Sequence, residues 1–455
     1  PNTSRKMATA VHLFVGIAAL ALAMAAPPPA PSCHDWPQTC PGTLPKMKQT
    51  WQMNLSTIIM PCNDTGPTDP DTTKGWGVID FDWSNWKGTG ASDGWAKAKP
   101  MDCEERLARQ VAMTTAASPH TKVWVYRNSI LALPWYTSVR EKLEDPAYAY
   151  WFLNFSTPLP KIKQQGNANT TCDNTFNPPK CSFHFHDSVQ TPGYPHGDGD
   201  CAPPGCDVGA TLPIGAYLFN PAAANTSVNG QTFTEWFIDD YLFGPNGGSN
   251  PNISGFFFDD QFNPNGATES DGTLSNLGLT AAEGAKLSQD YWAHMNTVYG
   301  ELLKRNKFSW QQLWTGQKTC SYYDSYGCLG TTGTHILVQQ KSCASDLRTL
   351  CAADSPSQTR AMMFPFAGKD PAQLPEFEQD LANFLLVRGP HAFLGHAWNG
   401  CSKHYAFPDA LNADYGEPLG LCKETAPNSG MFTREWSKAS VKMDCSTYIG
   451  TVTMK

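Results

Sequence analysis

The feature that most constrains this chain is an alternation of short apolar runs of β type with longer stretches of helical spacing. The runs are 75–83 (GWGVIDFDW), 121–128 (TKVWVYRN), 148–155 (YAYWFLNF), 254–262 (SGFFFDDQF), 308–314 (FSWQQLW), 360–366 (RAMMFPF) and 391–398 (HAFLGHAW). Helix-compatible segments lie between them at 103–117, 232–243, 280–304 and 375–387. Strands apolar along their whole length, separated by helices, belong to a parallel sheet covered on its outside. The expected fold is therefore α/β, a (β/α)8 TIM-type barrel with a cysteine-rich inserted loop, its eighth strand at 335–340 (HILVQQ) or in the tail at 432–441. A doubly wound sheet would bring a Gly-rich phosphate loop after its first strand, and GTGASDG at 88–94 follows polar residues and matches no such fingerprint.

Length is compatible with this reading, since 455 residues suit one barrel with insertions as well as several smaller domains. The expected partition is upstream residues and a signal peptide at 1–26, a Pro-rich spacer and N-terminal extension at 27–50, and a barrel at 51–455 carrying a disulfide-rich insertion at 171–209. The leader reading rests on the apolar run 11–24 after Met7, too short to span a bilayer and ending in Ala23-Met24-Ala25. No later stretch is long and apolar enough for stable membrane insertion. With 33 basic and 41 acidic residues the net charge is −8, which argues against nucleic acid as a partner.

The 15 cysteines all follow the leader, many in close pairs: Cys33/Cys40, Cys172/Cys181, Cys201/Cys206, Cys320/Cys328, Cys343/Cys351 and Cys401/Cys422. In an exported chain such pairs read as local disulfide staples, with one thiol left over because the count is odd. Zinc is the competing explanation, but no CxxC pair occurs. Sequons at Asn54, Asn63, Asn154, Asn169, Asn225 and Asn252 fit a secreted or extracellular glycoprotein, Asn154 least because it ends an expected buried strand.

In a parallel barrel the chemistry gathers at the carboxyl ends of the strands, so polar residues that end apolar runs carry the most information. Asp259 and Asp260 follow three phenylalanines, and Asp80 and Asp82 share one face of the first run. Carboxylates converging from two strands are what glycosidic cleavage needs: one protonates the leaving oxygen while another attacks the anomeric carbon or activates water. As helix caps or ion-pair partners the same acids would be structural. Arg127, Trp310, Gln312, Trp314, His396 and Trp398 are the candidate substrate-binding residues, Trp310, Gln312 and Trp314 alternating onto one face as a platform for a sugar ring, with core packing the alternative. His184, His186, Asp187, His196, Asp198 and Asp200 gather in the inserted loop without a full ligand spacing, and neither a metal nor another cofactor is expected.

The stretch YLFNP at 217–221, the helix containing WFIDDYL and the strand ISGFFFDDQ resemble secreted glycoside-hydrolase-like barrels, those similar to endo-polygalactosaminidases and to glycosidase-like proteins of unassigned specificity. The tail, DYGEPLG at 414–420 followed by MFTREW at 431–436, is similar to the closing element of such barrels. The resemblance puts Asp259 on the functional acid of its strand and Asp260 on a polar companion. Ser254-Gly255 stands where the pattern has Asp-Gly, so it supplies no second catalytic carboxylate. The function expected is a secreted carbohydrate-active hydrolase acting on a polysaccharide or glycan, with a non-catalytic extracellular or cell-wall glycoprotein that binds glycans as the alternative.

Overall fold

Seven strands form one parallel sheet: β1 (Thr57–Ile59), β2 (Val78–Phe81), β3 (Lys122–Asn128), β4 (Ile253–Asp259), β5 (Phe308–Ser309), β6 (Met362–Phe366) and β7 (Ala392–His396). Their order is β5-β4-β3-β2-β1-β7-β6, and every pairing is parallel. The sheet thus follows chain order and β7 returns to lie beside β1, as a curled parallel sheet does; an open doubly wound sheet reverses its order at a switch point. The computed structural model describes residues 50–88, 92–98, 100–155, 169–173, 180–184, 217–259, 267–268, 272–273, 281–309, 323–324, 327–328, 342–355, 358, 362–366, 377–396 and 407–455. All of them lie in one compact unit. The segment 335–340, an expected strand that would fall between β5 and β6, lies outside the described residues.

Six of the seven apolar runs contain strands of this sheet, and the exception has a local cause. The run 148–155 is mostly a 3-10 helix, Pro146–Trp151, started by Pro146 and by the Asp145 carboxylate, which accepts from the Ala147 amide. Trp151 is buried because it packs on Phe233 and Trp236, not because it lies in the sheet, and Tyr150 is exposed. Asn154–Phe155 forms a two-residue strand that pairs antiparallel with Lys180–His184. The true first strand, β1, is three residues long and escapes any periodicity test.

Helices α1 (Cys103–Ala117), α2 (Thr137–Glu144), α3 (Ala281–Lys304), α4 (Cys343–Leu350) and α5 (Phe377–Val387) alternate with the strands. Between α2 and α3, Phe233–Trp236 begins behind a reciprocal cap in which the Glu235 amide donates to the Thr232 hydroxyl and the Thr232 amide to the Glu235 carboxylate. It continues as one π-helical turn, Phe237–Leu242.

The tail does not add a barrel strand. Segments β8 (Lys423–Glu424), β9 (Met431–Glu435), β10 (Ala439–Asp444) and β11 (Ile449–Met454) make an antiparallel sheet of their own, in that order. It packs on α5, whose residues 379–387 are all buried. Two disulfides bind α4 to this tail, Cys343–Cys445 and Cys351–Cys422. They replace the expected local pairs Cys343/Cys351 and Cys401/Cys422. Cys343 and Cys351 stand at opposite ends of α4, and eight residues at ~1.5 Å rise separate them by roughly 12 Å, beyond the ~7 Å that a disulfide spans between Cα atoms. In the insertion the antiparallel register sets Cys172 opposite Cys181, and most of 171–209 lies outside the described residues.

Candidate active site

Residues paired in a parallel sheet point to the same face, so the register decides which side chains meet. Asp80 aligns with Trp124 and Trp124 with Gly255; Tyr126 aligns with Phe257, and Asn128 with Asp259. These residues line the inner face of the curl. The intervening Phe256 and Phe258 turn the other way, onto Phe243 and Tyr299 in the helical layer. Gly255 is needed where it stands, because a Cβ there would lie 2.7 Å from the Phe308 carbonyl oxygen and 2.8 Å from Trp124 Nε1. Its absence lets the Trp124 indole cross the strand and stack on Phe308 at 6.0 Å.

Asp80 is fully buried, and neither of its carboxyl oxygens has a hydrogen-bond partner among the described residues. Burial first, then the fields of Asp82 and Asp259, push its pKa well above the ordinary carboxylate range against a weaker pull from Arg127. Asp82, just beyond β2, is buried, and its Oδ1 accepts from the amide of Ser84 at 2.8 Å and from the Ser84 hydroxyl. Asp259 ends β4 partly exposed; the Tyr126 hydroxyl donates to its Oδ2 at 2.9 Å. Its carbonyl accepts from the Ser129 amide at 3.1 Å.

Three of the four candidate acids are therefore brought within electrostatic reach of one another, and the fourth, Asp260, lies outside the described residues. So do Trp310, Gln312, Trp314 and Trp398, while His396 is placed by its backbone at the end of β7, paired with Phe366. Arg127 is on the opposite face from Asp80 and Asp259. Its fully buried guanidinium lies 3.4 Å from Glu104 of α1 and donates to the carbonyls of Tyr126, Tyr241 and Asn246. Burial raises the Glu104 pKa while Arg127 pulls it down. This is a cation that fastens α1 to the sheet from the helical side, and the expected sugar contact from Arg127 does not follow from its position.

Tyr126 was not singled out by sequence, although Trp124, Tyr126 and Asn128 alternate onto one face. Trp83 was also overlooked. It follows Asp82 directly, packs at 5.1 Å from Trp135 and 6.0 Å from Trp95, and lies under the Lys87 ammonium at 5.0 Å. Among the described residues no group of three or more His, Cys, Asp or Glu side chains is placed to hold a metal ion, and no helix is long and apolar enough to cross a membrane.

A curled parallel α/β sheet with acids gathered at the carboxyl ends of β2 and β4 is the class that fold and site define. No protein-family model matches the chain, and no curated protein matches it either. Two carbohydrate enzymes are among its weak structural neighbours. Sucrose 6F-phosphate phosphorylase from Thermoanaerobacter thermosaccharolyticum shares 10% identity at a TM-score of 0.35, covering 91% of this chain and 97% of that one. The α-amylase from Geobacillus thermoleovorans complexed with acarbose shares 11% identity at a TM-score of 0.36, covering 87% of each chain.

Proposed function

We propose that this protein is a secreted hydrolase that cleaves glycosidic bonds in a polysaccharide or other glycan by carboxylate catalysis on a complete (β/α)8 barrel. The observation that carries this reading is the grouping of Asp80, Asp82 and Asp259, two of them strand-end acids, with one carboxyl deprived of hydrogen bonds and biased toward its protonated form. In this scheme Asp259, held as a hydrogen-bond acceptor, attacks the anomeric carbon or stabilises the positive charge that develops on it. Asp80, whose burial favours its protonated form, gives its proton to the glycosidic oxygen of the substrate, which supplies the acceptor that the protein withholds. The reaction consumes water and calls on no cofactor.

Export is supported by the leader-like run 11–24 and by two disulfides between distant parts of the chain. N-terminal sequencing of the exported protein should begin shortly after Ala25. Activity is tested by screening the exported protein on a panel of polysaccharides beside its Asp259→Asn variant. Release of reducing ends by the native protein alone is the expected result; glycan binding without turnover by either would instead identify a non-catalytic glycan-binding glycoprotein.

A further inference from the structure

Asn128 has only one way to face Tyr126. Its Oδ1 accepts from the amides of Ile130 at 2.8 Å and Leu131 at 2.6 Å, which orients the side-chain amide, and its Nδ2 donates to the Tyr126 hydroxyl at 2.9 Å. The Tyr126 oxygen is thereby an acceptor toward Asn128, and its hydrogen goes to Asp259 Oδ2, also at 2.9 Å. The loop after β3 thus sets the direction of a hydrogen-bond chain that ends on the proposed reacting carboxylate. Both Tyr126 and Asn128 are buried, and the Tyr126 ring packs against Phe257 at 5.9 Å, so the chain is held from two sides.

We infer that Tyr126 is a positioning residue for the proposed reaction: locked by Asn128, its hydroxyl fixes the rotation of the Asp259 carboxylate and holds it in its ionised, accepting form. The inference rests on the glycosidase reading. Among the described residues Asp80 of β2 feels the field of Asp259, Tyr126 of β3 donates to its carboxylate, and Tyr291 of α3 meets the same strand end through Ser129 at 2.7 Å. Arg127 lies on the far face of β3. The hydrogen bond that the Tyr126 hydroxyl donates goes to the carboxylate itself, and a donor to the charged form favours that form.

Tyr126→Phe removes one oxygen and keeps the ring contact with Phe257. The Asp259 carboxylate is followed by infrared difference titration against Asp259→Asn, in the native background and in Tyr126→Phe. Its midpoint should rise by about one pH unit when a donor to the charged form is removed. On a substrate found in the panel, kcat should fall about 10- to 100-fold with little change in KM, and the acid limb of the pH–rate profile should move up with the titration. Tyr291→Phe, which loses a hydroxyl at the same strand end but not from the carboxylate, should leave both unchanged. An unshifted midpoint in Tyr126→Phe, or an equal shift in Tyr291→Phe, overturns the inference. A shifted midpoint with no turnover on any glycan overturns the catalytic role through the glycosidase reading beneath it, while the hydrogen-bond chain itself stands.

Discussion

At Asp80 a carboxyl is buried without a hydrogen bond and next to two other acids, which stability alone would not favour. Its folded-state pKa is raised, so the stability it contributes is fully present below its unfolded value of 3.8 and is lost as pH rises through the folded value. Asp80→Asn, which cannot ionise, should therefore gain melting temperature relative to the native protein as pH increases from 4 toward 8; parallel pH profiles for the two proteins would contradict this. For Asp259→Asn the fold should survive while turnover drops by several orders of magnitude, because the group acts chiefly in the transition state. Paired measurements of melting temperature and rate separate that outcome from loss of a structural acid. The acids could be read from sequence because each ends or follows an apolar run. For Arg127 alternation says that it and Tyr126 face opposite ways, but not which way is inward; the register with β4 and the contact with Glu104 put Arg127 on the helical side.

Elements with long periodic signals were legible and short ones were not. Expected segments 103–117 and 280–304 became α1 and α3 almost to the residue, whereas β1 with three residues carried no pattern. In the 148–155 run Tyr148 and Trp151 are buried from a 3-10 turn, Trp151 under other aromatic rings, without lying in the main sheet. Capping gives the element scale its tests. The buried Arg434 of β9 donates to the carbonyls of Leu385, Leu386 and Arg388, closing the carboxyl end of α5. Arg434→Met leaves those carbonyls without their donor and should cost roughly 3 kcal/mol, measured by denaturant unfolding. Thr232→Ala, which breaks the reciprocal cap, should cost only about 1 kcal/mol in the same assay.

Across the whole molecule the tail sheet is secured to the α/β unit by α5 and by the two disulfides, which close separations of 71 and 102 residues. On the chain-entropy estimate each contributes about 4 to 5 kcal/mol taken singly, and together less than the sum because the loops overlap. Peptide mapping without reduction should recover Cys343 linked to Cys445 and Cys351 to Cys422, and Cys103 should remain a thiol, being buried and unpaired among the described residues. Sequence by itself determined the parallel α/β class and the carboxyl-end acids, because continuous apolar runs can be buried only between layers and an acid closing such a run must lie at the sheet's rim. The cysteine partners, the separate tail sheet and the Asn128–Tyr126–Asp259 chain were decided by tertiary structure alone. Each depends on which distant residues share a face, and that is a property of register and packing, which local spacing does not encode.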